Sequence, residues 1–166
     1  DRLEELMLVT PIFPEYSAVV DPMAFYFMPD ELVGHIVSGI LGGREPFYRN
    51  IAKEITTAVI SAYIILAVSH GNLPIMNTDE IRQRIRRESL DSTMKSLRSI
   101  GTPEADLTAG MIEDILKSPM EYYAKVSSTL RTALMELSSG NIGKIIGQAD
   151  SNRFIKKLEA GEPVIL

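Results

Sequence analysis

Residues 55–68, ITTAVISAYIILAV, carry no charged side chain, and only Thr56, Thr57 and Ser61 interrupt their apolar character. A helix with such a surface has no face suited to water, so neighbouring elements must cover it on most sides. The stretch is also shorter than the roughly 20 residues a membrane span needs. It predicts a central helix, bracketed by Pro46 at its first turn and by Gly71 just beyond His70. Ile55, Val59, Ile60, Ile64, Leu66 and Val68 are expected at the centre of the core.

The remaining chain supplies helices to surround it. Residues 11–29 hold Pro11, Pro14, Pro22 and Pro29, a density that excludes a continuous helix. An extended connector is expected there, tacked onto the body by Tyr16, Phe25, Tyr26 and Phe27. Asp30 is read as the cap of a first helix, with Leu32, Val33, Ile36, Val37, Ile40 and Leu41 at helical spacing and Gly42–Gly43 as its stop. Asn77 and Thr78 offer caps for a third helix, with Glu80 completing an Asn-x-x-Glu box. Beyond it the apolar phase changes. Ile81 and Ile85 share one face, whereas Leu90, Met94 and Leu97 would fall on the opposite side of a continuous helix. A break is therefore placed near Ser89, which would cap a fourth helix ending at Gly101. Thr102 and Pro103 start a fifth, expected to reach Lys117 with an irregularity at Gly110.

Ser118, Pro119 and Glu121 read as N-cap, first helical residue and capping-box partner of a long sixth helix that stops at Gly140. A loose turn over 140–147 and a short helix over about 152–160 follow. The apolar runs 6–9 and 164–166 suit short strands. The expected fold is mainly α, a compact bundle of six or seven helices with a short β-strand at each end. An apolar strand cut short at residue 166 suggests a piece of something larger, with residues 29–147 as a helical insertion. Residues 1–28 and 148–166 would then be the connector and the returning helix and strand of a host domain, its two ends leaving and rejoining the host at nearby points.

Bulk properties narrow the chemistry. A chain of 166 residues that is 45% hydrophobic and 23% charged can bury a real core. The net charge of -5 gives no overall basic footprint, so any nucleic-acid contact must be local. Without cysteine there is neither a disulfide framework nor a thiolate metal site. His35 and His70 lack ligand spacing, and no metal or cofactor is expected. Asp1 begins with charge and no cleavage pattern follows, so no signal peptide is expected.

The phosphate-loop candidate, Gly140-Asn-Ile-Gly143-Lys144-Ile145, fails its test. Its spacing is wrong, and Ile145 stands where a magnesium-binding hydroxyl is required. No catalytic constellation is present, and no catalytic residue is assigned. One charge cluster stands out: Arg82, Arg84, Arg86 and Arg87, followed by Lys95 and Arg98. It reads either as a solvated helical face with internal ion pairs, such as Asp91 with Lys95, or as a local patch for DNA or an acidic protein partner. No aromatic residue interleaves it, which leaves a base-stacking platform unsupported.

Several segments together resemble the conjugative type IV coupling proteins of the TraD/TraG kind. FPEYSAVVDPMAFYFMPDELVGHIVSGIL resembles the family's proline-rich connector and first helix. REPFYRNIAKEITTAVISAYIILA resembles its long buried helix, with an aromatic pair near the start. YYAKVSSTLRTALMELSSGNIGKIIG resembles its late helix and turn, and RFIKKLEAGEPVIL the helix and strand that return to the motor core. The resemblance implies an all-α domain inserted in the RecA-like motor of a membrane-anchored ATPase, on the cytoplasmic side of the bacterial inner membrane. It implies a substrate-recognition role toward DNA or relaxosome proteins, a homo-hexameric ring for the parent and a soluble, monomeric fragment. The family's nucleotide-binding lysine and magnesium-binding acid have no matching positions here, so the fragment is expected to be non-enzymatic. The rival readings are a stand-alone helical protein-interaction module and an enzyme with a pocket among the helices.

Overall fold

The computed structural model describes residues 8–20, 23, 28–41, 46–72, 74, 76–146 and 160–161. Among them are seven α-helices and no strand: α1 (Pro29–Leu41), α2 (Pro46–Ser69), α3 (Thr78–Arg84), α4 (Arg87–Ile100), α5 (Pro103–Lys117), α6 (Met120–Leu137) and α7 (Gly140–Ile146). The helical body is as the sequence predicts, whereas the described part of the first expected strand, residues 8–9, is not a strand. Leu8 and Val9 are exposed and irregular. The Leu8 carbonyl accepts from the Ala18 amide at 2.7 Å, closing a loop around a 3-10 turn at Pro14–Tyr16. The strand expected over 164–166, most of the helix over 152–160, the stop at residues 42–43 and the aromatic residues 25–27 lie outside the described residues.

The apolar α2 is central, because α1, α3, α4, α5 and α6 all pack on it. Its Arg49–Ser69 stretch is long and apolar enough to cross a membrane by length and composition, with a mean hydropathy of 1.7. Here that surface faces other helices: Ile55, Ala58, Val59, Ile60 and Ala62 are buried. Ile64 and Leu66 are only partly buried, and Val68, expected in the core, is 61% exposed. The last turn of α2 lines an open cleft with α3 and α4 through Leu66, Ala67, Ser69 and His70, and Val68 is not on that wall. The positive φ of Gly71 then ends α2.

The predicted phase change is real and lies earlier than Ser89. Asn77 caps α3 by accepting from the Glu80 amide at 2.8 Å. The helix ends at Ile85, and Arg86 is extended (φ -65°, ψ 142°) before α4 begins. This corner lets Ile81, Ile85, Leu90 and Leu97 all reach the core. Ser89 does not cap α4; its hydroxyl donates back to the Gln83 carbonyl at the end of α3.

Other boundaries shift for local reasons. Asp30 sits inside the first turn of α1, which starts at Pro29. A carboxylate there favours the helix dipole without capping it. Thr102 caps α5 as expected, accepting from the Ala105 amide, and α5 runs unbroken through Gly110. Ser118 precedes a proline, which forces it extended, so it terminates α5 and does not cap α6. Pro119 is itself extended, and α6 starts at Met120 with no side-chain cap, leaving Glu121 outside any capping box. The segment after Gly140 is the helix α7, not a loose turn. A Cβ on Gly143 would lie 2.2 Å from the Ser138 carbonyl oxygen, so only glycine allows that approach. The Val20 amide bonds the Ile145 carbonyl at 2.8 Å and ties the connector to α7. Met23, 3% exposed, anchors the connector in the core, whereas Tyr16 is 74% exposed.

Candidate functional site

The six cationic residues singled out by sequence do not form one patch. Arg82 bonds Asp79 at 2.5 Å, and Arg84 bonds Glu80 at 2.9 Å. The guanidinium of Arg84 also lies 4.6 Å from the Tyr63 ring centroid, a cation–π contact. Lys95 pairs with Asp91 at 2.6 Å, and Arg98 crosses from α4 to Glu113 of α5 at 2.5 Å. Four of the six charges are thus compensated. The bonds from Arg82 and then from Gln83 hold the Asp79 carboxyl below its ordinary pKa.

Arg86 and Arg87 differ in forming no ion pair among the described residues, although the Arg86 charge still acts on Asp79. They face α6, where Tyr123, Ser127 and Arg131 recur every fourth residue and so share a stripe. Together with Glu88 and Met120 they line a cleft of about 480 Å³. Side chains fasten this corner. The Tyr123 hydroxyl donates to the Ile85 carbonyl, which the end of α3 leaves free, and Arg87 Nη2 donates to the Leu116 carbonyl at the end of α5. The Arg87 guanidinium lies 5.8 Å from the Tyr123 ring centroid.

Arg87 and Arg131 are half-buried, and among the described residues neither pairs with a carboxylate. Arg87 Nη1 and Arg131 Nε are buried without a hydrogen-bond partner. Burial raises the Tyr123 phenol above its ordinary pKa, opposed by the positive charges of Arg87 and then Arg131. Both guanidinium groups therefore act on one point in the cleft. Partly desolvated cations without a counter-charge raise the free energy of the fold. An anion in the cleft would relieve that cost, and a planar guanidinium suits an oxyanion.

Sequence reasoning missed Arg131 and Tyr123. The available signal was the spacing of Tyr123, Ser127 and Arg131 on α6, which is visible in the sequence but meaningful only once α6 is known to face the corner. A second cleft of about 670 Å³, between α2, α3 and α4, contains Tyr63, His70 and Arg84. Its cation is already matched by Glu80 and Tyr63, and the His70 Nδ1–H donates to the Leu66 carbonyl at 2.6 Å. Among the described residues no group of His, Asp and Glu could hold a metal ion.

Comparison of the chain with protein-family models, with curated proteins and with solved structures finds no match.

Proposed function

We propose that this chain is the substrate-recognition domain of a membrane-anchored conjugative coupling ATPase, contacting DNA or relaxosome proteins for type IV secretion. The sequence segments that resemble the family support the reading, and so does the helical character of the body. The observation that carries it is the Arg86–Arg87–Arg131 cleft. Two half-buried guanidinium groups there lack the counter-charges that Arg82, Arg84, Lys95 and Arg98 possess. Such a cleft suits the binding of an anionic group, and in this reading the domain binds without catalysing. In this reading nucleotide hydrolysis belongs to the motor domain of the parent protein, a homo-hexamer at the cytoplasmic face of the bacterial inner membrane. The domain by itself is monomeric and takes no cofactor.

The same cleft also accommodates the rival reading, a helical protein-interaction module outside any coupling ATPase. Met120 favours that rival, because it stands 70% exposed on the cleft wall, where it would serve a protein partner better than a nucleic acid. The deciding experiment is to read the gene on both sides of this segment. A phosphate-binding loop upstream and an acidic strand end downstream would establish the coupling ATPase. Uninterrupted helical repeats or stop codons in their place would refute it.

A further inference from the structure

We infer that the occupant of the Arg86–Arg87–Arg131 cleft is an acidic segment of a partner protein, docked through a carboxylate, and not a DNA backbone. The inference rests on the proposed recognition role and narrows it to one class of partner. Charge complementarity points to an acid, since three guanidinium groups line the cleft against the single carboxylate of Glu88. A cleft is concave and takes one inserted group. A DNA backbone needs an extended track of free cations. Among the described residues, the cations nearest in sequence to the cleft do not extend it into such a track, because Arg82, Arg84, Lys95 and Arg98 each pair with a carboxylate. The chain's net charge of -5 further opposes a duplex approaching along it.

The cleft is also partly apolar. Met120 offers an exposed thioether, while the Tyr123 ring is only 5% exposed and cannot stack on a base. A carboxylate flanked by an apolar side chain fits both halves of the lining. The acid would meet the guanidinium groups of Arg131 and Arg87, and the apolar neighbour would rest on Met120. Arg86, exposed at the rim, would add long-range attraction more than contact energy.

The test is fluorescence anisotropy of the 166-residue chain with three labelled probes at low and moderate salt. The first is a peptide alternating Asp or Glu with Leu, the second its Asn/Gln counterpart, and the third a random-sequence DNA offered as single strand and as duplex. The acidic peptide should bind best. Arg131→Gln should weaken it about tenfold, the loss expected for one charged hydrogen bond. Arg86→Gln, at an exposed position, should weaken it less and mainly at low salt, and Met120→Ser should weaken it at both salts. Arg49→Gln, an exposed arginine on α2, should change nothing. Thermal melts confirm that each variant is folded, and Arg86→Gln and Met120→Ser keep the test open if Arg131→Gln is not. Preferred binding of DNA, lost in Arg131→Gln, would overturn the inference and leave the recognition role intact. Peptide binding that ignores all three cleft variants would place the site elsewhere and also overturn it. Binding of no probe would overturn both the inference and the cleft-based support for the recognition role.

Discussion

Replacing Tyr123 by phenylalanine isolates one bond at the α3–α4 corner. The ring remains, 5% exposed and stacked near Arg87, so packing is preserved. What disappears is the donor to the Ile85 carbonyl, on a residue with 0% exposure. That carbonyl would ordinarily accept from an amide one helical turn on, but the break at Arg86 removes that partner. A buried carbonyl left unsatisfied costs about 1–3 kcal/mol, more than the 0.5–1.5 kcal/mol typical of a bond that water can replace. We therefore expect Tyr123→Phe to lose about 2 kcal/mol. For a chain of this size that corresponds to a fall in Tm of roughly 4–8 °C. Urea unfolding should show a lower midpoint at unchanged slope, and Tyr16→Phe, at an exposed position, serves as the control. Burial of the same phenol has an alkaline signature. The Tyr123 phenol is raised above its ordinary value of 10.0, so its contribution is complete below pH 10 and fades as pH rises through the folded value. Tyr123→Phe should then lose less stability than the wild type above pH 10. A cost below about 0.5 kcal/mol would show that the corner does not depend on this hydroxyl, and the account of the α3–α4 break would fail.

Three further outcomes are expected. Gly143→Ala drives a Cβ into the Ser138 carbonyl and should destabilise by roughly 1–3 kcal/mol, read by thermal melting; an unchanged Tm would mean that α7 sits farther from α6 than described. Thr56 is fully buried with an unpartnered hydroxyl, so Thr56→Val should raise stability by about 1 kcal/mol in urea titration, whereas a loss would reveal a hidden partner for the oxygen. Asp79, held below its ordinary value of 3.8 by Arg82 and then Gln83, adds stability that is full above pH 3.8 and lost as pH falls through the lower folded value. Asp79→Asn should therefore flatten the acid limb of the stability curve, and an unchanged limb would show that the pair contributes nothing measurable.

Six of the seven described helices, α1 to α6, and part of their punctuation could be read from the chain alone, whereas α7 was expected as a turn and the caps at Asp30, Ser89 and Ser118 did not form. Apolar residues at helical spacing, the caps Asn77 and Thr102, and the glycines Gly71, Gly101 and Gly140 act through local backbone chemistry, which travels with the chain. The phase change between Ile85 and Leu90 was legible for the same reason, since one straight helix cannot bury both residues. Where that helix turns was set by packing between helices. The Tyr123 hydroxyl and Arg87, reaching from and to other helices, stabilise the corner at Arg86, whereas the local signal at Ser89 pointed three residues downstream. The fate of Val68 was hidden in the same way, because exposure at the end of α2 depends on which of its sides the neighbours cover. The arginine cluster shows the division most clearly. A sequence lists cations, but whether each is free depends on which carboxylates stand beside it in space. Lys95 and Asp91, four apart on one helix, were predictable as a pair, while Arg98 and Glu113 meet only because α4 packs on α5. Arg131 joins Arg87, 44 positions away in the chain, only because α6 crosses the corner, and long-range proximity of that kind has no local signature in the sequence.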